Sequence, residues 1–346
     1  MGLPEIFVSF HTAAVTAISR SSRGAVVLAL ADATKDGPAE QTYRSLGEAD
    51  KAHFTAESYR MLSLCFLAGP RKVTVLRTGS GETAVYAALD RLTFDYLAAP
   101  GLDQAGVVSY IKAQRAKGRG IKAVTAGATA PDCEGVIDFC AQDLVLEDGP
   151  VDAAAYTARI AGLLAALPLT RSATYCALPE VVSCKAAEDP DADVDAGKLI
   201  VVPGEAGWCL GRAVNSLTTL TTDHGAPFRK IKIVEGVDLI RTDIARTFRS
   251  GYVGSVLNDY DNKLLLVTAI NAYFRGLEGD VLDKTAENVC RVSLEGQRSW
   301  LESQGIDTAA MSDTELLKAN TGSEVFLEAS LTFCDAMEDL ELKIAM

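Results

Sequence analysis

The sequence predicts an α/β domain built on a mainly parallel sheet, followed by a smaller α+β domain, with an extended strand arm at each end. Three observations predict it. Short apolar runs alternate with helical patterns from Gly24 to about Ala213. The polar, Gly- and Pro-containing stretch Thr219–Pro227 (TLTTDHGAP) breaks that alternation. Period-two patterns mark both ends, at Ile6, Val8 and Phe10 and at Leu340, Leu342, Ile344 and Met346. The expected layout is a strand arm over 1–20, the α/β domain over 21–225, the α+β domain over 226–335 and a second strand arm over 336–346.

Each element has its own justification. Ala25–Ala31 (AVVLALA), bounded by Gly24 and Asp32, reads as a strand covered on both faces. Residues near Ala56–Ala68 have helical spacing, and Lys72–Arg77 (KVTVLR) is the next strand. Helix Glu82–Leu92, strand Phe94–Ala98, helix Asp103–Ala116 and strand Ile121–Ala126 follow. Strand Leu144–Leu146, helix Asp152–Leu167 closed by Pro168, strand Leu199–Val202 and the segment Gly207–Ala213 complete the domain. Beyond the break, Ile231, Ile233 and Val234 read as a strand, and Val237–Phe248 and Lys263–Leu277 as amphipathic helices. Ser312 with Glu315 forms a capping box for a short helix. Val325, Leu327, Ala329, Leu331 and Phe333 alternate as a strand does.

Composition narrows the function. The chain has 346 residues, a length for two domains. Its 33 basic against 46 acidic residues leave a net charge of −13, which excludes sequence-independent nucleic-acid binding and docking on an anionic membrane. No apolar run reaches the ~18 residues that span a bilayer, and no basic-then-apolar leader opens the chain. Gly2 suits myristoylation, but Ile6 stands where Ser or Thr is required. A soluble chain made in the cytoplasm, without membrane insertion, is expected. The eight cysteines include no C-x-x-C pair and the three histidines lie far from any cysteine pair, so reduced core cysteines are expected rather than a zinc site.

Signals for chemistry are weak. Gly79-Ser80-Gly81-Glu82-Thr83-Ala84 fits G-x-G-x-x-A between a strand and a helix, the alternative reading being a dinucleotide-binding enzyme. Against it, Glu82 in the first turn would repel a phosphate, and Asp95, the only acid for a ribose, sits inside its strand. A plain βα turn capped by Ser80 accounts for the same residues. The acidic run Glu188, Asp189, Asp191, Asp193, Asp195 fails the calcium-loop pattern at Val194 and Ile200, and reads as a solvated loop. No serine elbow accompanies His53 or His224. No catalytic residue, cofactor or metal is therefore expected. One local charge anomaly stands out. Phe228–Ser250 carries Arg229, Lys230, Lys232, Arg241, Arg246 and Arg249 against three acids, a net +3 in an acidic chain. It is either a solvated helix face or a docking surface for an acidic partner or neighbouring subunit.

The two ends carry the sharper implication. Long apolar edges aggregate unless they are paired, so a protein that keeps them uses them for strand donation. A six-residue added strand makes about five backbone bonds at ~1 kcal/mol net each. Three buried apolar side chains add roughly 1.5–3 kcal/mol apiece. Ordering the arm costs about 1–2 kcal/mol per residue and cancels most of that gain. One arm binds weakly; many arms in a closed lattice bind cooperatively.

The sequence resembles the contractile tail sheath proteins of phages and phage-tail-like bacteriocins, particularly the short sheaths of Gram-positive phage elements. The matching stretches are Gly2–Phe10, Arg23–Asp32, Arg159–Leu178, Gly211–Leu220, Lys230–Ile244, Tyr260–Ile270 and Ala319–Ile344, spread along nearly the whole chain in the family's order. The resemblance implies a non-enzymatic, subtilisin-like α/β domain and a C-terminal domain. It implies a homo-oligomer of stacked hexameric rings around a tail tube, joined to baseplate and tail terminator proteins. Such a sheath is assembled in the host bacterial cytoplasm and works as part of a virion tail or a released particle. Contraction drives the tube through a target envelope while the arms, carrying Ile6, Val8, Phe10 and Leu340, Leu342, Ile344, keep subunits joined. The family's C-terminal domain faces the tube, which offers a tube-facing role to Arg229, Lys230, Lys232, Arg241 and Arg246.

Overall fold

Along Ala25–Leu30 (β1) every residue is buried, as a strand covered on both faces requires. The computed structural model describes residues 17–34 and 37–346. One unit gathers Ser21–Thr242 and Phe333–Met346; the other is built on Asp243–Thr332 with residues 17–20.

The first unit contains β2 (Glu40–Tyr43), α1 (Ala56–Phe66), β3 (Lys72–Arg77), α2 (Glu82–Arg91), β4 (Tyr96–Ala98), α3 (Gln104–Ala116) and β5 (Lys122–Thr125). It continues through β6 (Val136–Cys140), β7 (Gln142–Leu146), β8 (Gly149–Pro150), α4 (Ala153–Ala166), β9 (Val181–Lys185), α5 (Pro190–Asp195), β10 (Lys198–Gly204) and β11 (Gly207–Leu210). Eight strands form one sheet in the order β11-β10-β6-β5-β4-β1-β3-β2. Its interior pairs are parallel, and only the outer pairs β2/β3 and β10/β11 are antiparallel. Leu28 lies opposite both Val75 and Ala98, which fixes the register at the centre. Alternate residues of β1 feed two cores: Val26, Leu28 and Leu30 join α1 and α4, while Ala25, Val27 and Ala29 join α2 and α3. The mixed α/β class with a parallel-rich sheet is thus what the chain adopts.

Several sequence expectations need correction. β2, β6 and β9 are strands beyond those expected, and the otherwise apolar β6 (VIDFC) is interrupted by Asp138. That carboxylate accepts from Thr125 Oγ1 at 3.2 Å and from the Ala128 amide at 3.1 Å, so a buried acid is tolerated mid-strand. β4 starts later than expected because the Asp95 carboxylate is drawn to the amides of Gly24 and Ala25, at 2.7 and 2.8 Å. The acidic run is not a plain loop: Asp189 caps the short α5 on the Ala192 amide, with Pro190 in its first turn.

The largest correction concerns Ile231, Ile233 and Val234, which begin a helix, α6 (Ile231–Gly251), rather than a strand. The helical period is hidden because Glu235 and Asp238 lie on its buried face. Asp238 accepts from Arg115 at 2.8 and 3.1 Å and from Lys122 at 3.1 Å. Glu235 meets Arg23, Tyr96 and Lys122, and Arg115 reaches Glu134 at 2.8 Å. Burial raises the Asp238 pKa, but Lys122 and Arg115 outweigh it and hold the carboxyl below its ordinary value.

The second unit holds α7 (Tyr260–Arg275), β12 (Val289–Val292), α8 (Leu294–Ser303), α9 (Asp313–Lys318) and β13 (Leu327–Ser330). The Ser312–Glu315 capping box forms as expected. The nine-residue alternation from Val325 yields only the four residues of β13, paired antiparallel with β12. All eight cysteines are free. Among the described residues no helix is long and apolar enough to cross a membrane.

Candidate assembly surfaces

The C-terminal segment Phe333–Met346 folds with the first unit, and ionic contacts root it there. Lys232 donates to the Cys334 carbonyl, and Lys230 pairs with Asp335 and, at 3.2 Å, with Glu338. Glu338 is the centre of the root. Its side chain is 6% exposed. Ser172 and Thr174 donate their hydroxyls to it at 3.0 and 2.6 Å. Arg212 adds Nη1 at 3.6 Å from Glu338 and Nη2 at 2.6 Å from Asp339.

Local structure prepares this berth. Ser172 and Thr174 follow α4 in a turn where the Thr174 amide donates to Ser172 Oγ at 3.1 Å. Arg212 lies just past β11 and Lys230 just before α6. Burial lowers the Lys230 pKa, but Asp335 and Glu338 more than reverse it and the ammonium is held above its ordinary value. Bonding to Arg212 pulls the Asp339 carboxyl down. Ser172, Thr174, Arg212 and Glu338 were not singled out from sequence; the adjacent acids Glu338 and Asp339 were the only local signal.

The five basic candidates do not form one patch. Lys230 and Lys232 meet at the tail. Arg229 donates to the carbonyls of Val194 and Asp195 at 3.1 and 2.8 Å, closing the C-terminus of α5. Arg241 is exposed on α6. Arg246 belongs to the second unit, where it reaches the Ser19 carbonyl and Asp243.

Beyond Asp339 the tail is open. Leu340, Leu342 and Ile344 are 89%, 71% and 76% exposed, and no strand forms over 336–346 in the described structure. Ile6, Val8 and Phe10 lie outside the described residues. In the second unit the two-stranded ladder β12/β13 pairs Val289 with Ser330 and Val292 with Leu327. Such a ladder has two outer edges, each able in principle to take another strand.

The glycine turn offers less to a nucleotide than its pattern suggested. Gly81, at φ 87°, is the N-cap of α2, a position the sequence reading gave to Ser80. The Glu82 carboxylate accepts from the Asp103 amide at 3.0 Å, so an acid stands in the turn where a pyrophosphate would approach. Among the described residues no group of three or more His, Cys, Asp or Glu is placed to hold a metal.

Comparison with known proteins locates this architecture. The family model of the phage tail sheath C-terminal domain matches residues 223–346. Over 363 aligned positions the chain is 33% identical to the tail sheath protein of Clostridium phage phiCD119, spanning 100% of this chain and 99% of that one. The sheath tail protein of Desulfitobacterium hafniense shares the fold at 17% identity and a TM-score of 0.68, over 83% of this chain and 93% of that one. The contracted helical sheath of the anti-feeding prophage does so at 14% identity and a TM-score of 0.73, over 100% of this chain and 99% of that one.

Proposed function

The chain belongs to the phage tail sheath family, and from that premise we propose that it polymerises as stacked rings of six around a tail tube and contracts to drive the tube through a target envelope. It is a sheath subunit of a contractile phage tail or extracellular contractile particle, in a family that is structural and not enzymatic. The observation that carries the proposal is the end-to-end match to a tail sheath protein. The solved contracted sheath and baseplate of the anti-feeding prophage, with the same fold, support helical assembly onto a baseplate.

In this reading the tips of both termini donate strands to neighbours, through Ile6, Val8, Phe10 and through Leu340, Leu342, Ile344. Lys230 and Lys232 hold the root of the tail; of the remaining candidates for the tube, Arg229 and Arg246 bond within the chain and Arg241 stands exposed. The extended sheath is metastable; its free energy resides in subunit packing, with no nucleotide hydrolysed. The tube protein, baseplate and terminator are the remaining partners, and assembly takes place in the bacterial cytoplasm.

Negative-stain electron microscopy over a concentration series, with and without the cognate tube protein, tests the proposal. Hollow tubes with a regular helical repeat are expected. Small monodisperse particles at every concentration, persisting after the tube protein is added, would overturn it.

A further inference from the structure

The root of the tail stands at the mouth of a groove. Thr174 holds Glu338 and Arg212 holds Asp339, at 2.6 Å each. Arg212 and the residue after Thr174, Tyr175, both line a groove of about 1090 Å³ on the first unit. Three pieces of chain build it. The β10/β11 hairpin supplies Val202 and Trp208, α5 supplies Val194, and the stretch after Thr174 supplies Tyr175, Ala177 and Pro179. That stretch runs along β11: the Leu178 amide donates to the Trp208 carbonyl at 2.8 Å, and the Leu210 amide to the Cys176 carbonyl at 3.0 Å. The outer edge of β11 is therefore already bonded, and an occupant of the groove is held by its side chains rather than as an added strand. Tyr175 marks the entrance. Its φ of 54° is left-handed, which is uncommon for a residue with a Cβ; its amide donates to the Leu210 carbonyl at 3.1 Å, and it is 70% exposed. Backbone strain of this kind collects where a protein clamps something.

We propose that the groove is the resting berth of the chain's own tail tip, residues 340–346, which lies there in the unassembled subunit and leaves it to serve a neighbour. No linker separates the berth from the root, because Leu340 follows Asp339 directly. Reach suffices: seven extended residues span at most about 23–25 Å, against roughly 13 Å for the four residues of β11. Leu340, Leu342 and Ile344 are exposed in the open tail and share one face when extended, matching the apolar Val194, Val202 and Trp208. Charge agrees with this. Arg212 is engaged by Asp339, the other charged residues lining the groove are Asp191 and Glu205, and Lys343 is the one cation of 340–346. A berth on the same chain competes at the high effective concentration of a short tether. It also covers an apolar segment that would aggregate if left open. The inference goes beyond the sheath reading and does not rest on it; strand donation enters only as the competing use of the same residues.

Limited trypsin digestion of the full, unassembled chain tests this, with loss of Ile344–Met346 read by intact mass. Cleavage at Lys343 requires the tip to be out of the groove, so its rate tracks the open population. Two substitutions at exposed positions spare the core: Leu342→Glu on the tip and Ala177→Glu in the groove. Each should accelerate cleavage about tenfold, as when an open state populated at ~10% becomes the rule. The wild-type rate should not change on dilution. Ala177→Glu, with its tail intact and its groove closed, should also shorten the lag of assembly on the tube protein severalfold. Equal rates in wild type and both variants would overturn the proposal. Acceleration by Leu342→Glu but not by a folded Ala177→Glu would place the tip elsewhere and overturn the groove. Wild-type protection that fades on dilution would give the groove to a second copy and refute a berth within one chain. Protection without tubes from wild type or variants would uphold the berth and overturn the sheath proposal instead. Leu342→Glu lies beyond the folded root and keeps the berth open to refutation even where Ala177→Glu unfolds.

Discussion

Replacing Asp238 with alanine removes one carboxylate from a buried cluster in which three cations, Arg23, Lys122 and Arg115, meet three acids, Glu235, Asp238 and Glu134. The Asp238 side chain is only 4% exposed, and the Arg115 and Lys122 side chains only 5% and 3%. In Asp238→Ala, Arg115 keeps Glu134 and Lys122 keeps Glu235, but the site holds one uncompensated positive charge away from water. Breaking a buried ion pair from one side costs about 3–5 kcal/mol, because the remaining partner stays desolvated. Each kcal/mol lowers the midpoint of a domain this size by about 2–4 °C, so a fall of roughly 10 °C is expected in thermal unfolding. Urea unfolding followed by far-ultraviolet circular dichroism gives the free-energy change directly. A loss below about 1 kcal/mol would refute the claim that α6 is held to the sheet by charges kept out of water.

Three further outcomes follow from single sites. A Cβ on Gly162 would stand 2.0 Å from the Cys65 carbonyl oxygen, so Gly162→Ala forces α4 and α1 apart and should cost about 1–3 kcal/mol; an unchanged melting temperature contradicts the packing. Glu338→Ala removes charge-assisted bonds worth about 1.5–3 kcal/mol, raising the released fraction of the tail ten- to a hundredfold. Chymotryptic cleavage at Phe333 reads that release, and an unaltered rate would show that Glu338 is not the root. The Asp132 carboxylate accepts from the amides of Thr219 and Thr218, which hold it at about 2 against an ordinary 3.8. A carboxyl depressed by folding adds stability that is full above its unfolded pKa and lost as pH falls through the folded one. Wild type should therefore lose stability more steeply than Asp132→Asn between about pH 4 and 2, and identical slopes would reject the role.

The elements legible in the sequence were those whose burial is apolar. β1, β3 and α4 announce themselves because most of their buried positions are Ala, Val, Leu or Ile. β6 and the start of α6 do not, because Asp138, Glu235 and Asp238 occupy buried positions. Their partners, such as Thr125, Arg23 and Lys122, come from elsewhere in the chain. Periodicity cannot distinguish a paired buried acid from a solvated one. The same blindness hid Asn271, whose carboxamide bonds the backbone of Cys290 nineteen residues away. The Ser312–Glu315 capping box was readable because its chemistry is local.

The basic segment around Arg229–Arg249 raised a choice between a solvated face and a surface for an acidic partner. For Lys230 and Lys232 the acidic partner is the chain's own tail, where Asp335, Glu338, Asp339 and Glu341 outnumber the lone Lys343. That division of the tail has an energetic consequence. Binding to a neighbour must overcome about 1–2 kcal/mol for every residue it orders. Were all of 333–346 free, the cost would fall on fourteen residues; with the root held through Asp339, it falls on the seven of 340–346. Holding the root within the subunit costs no translational freedom, since both partners belong to one chain. The charged half of the tail thus fixes where the apolar half begins, and under the proposed strand donation it would reduce what each donated strand must offset. A weak six- or seven-residue strand would then suffice for a lattice that binds through many arms at once.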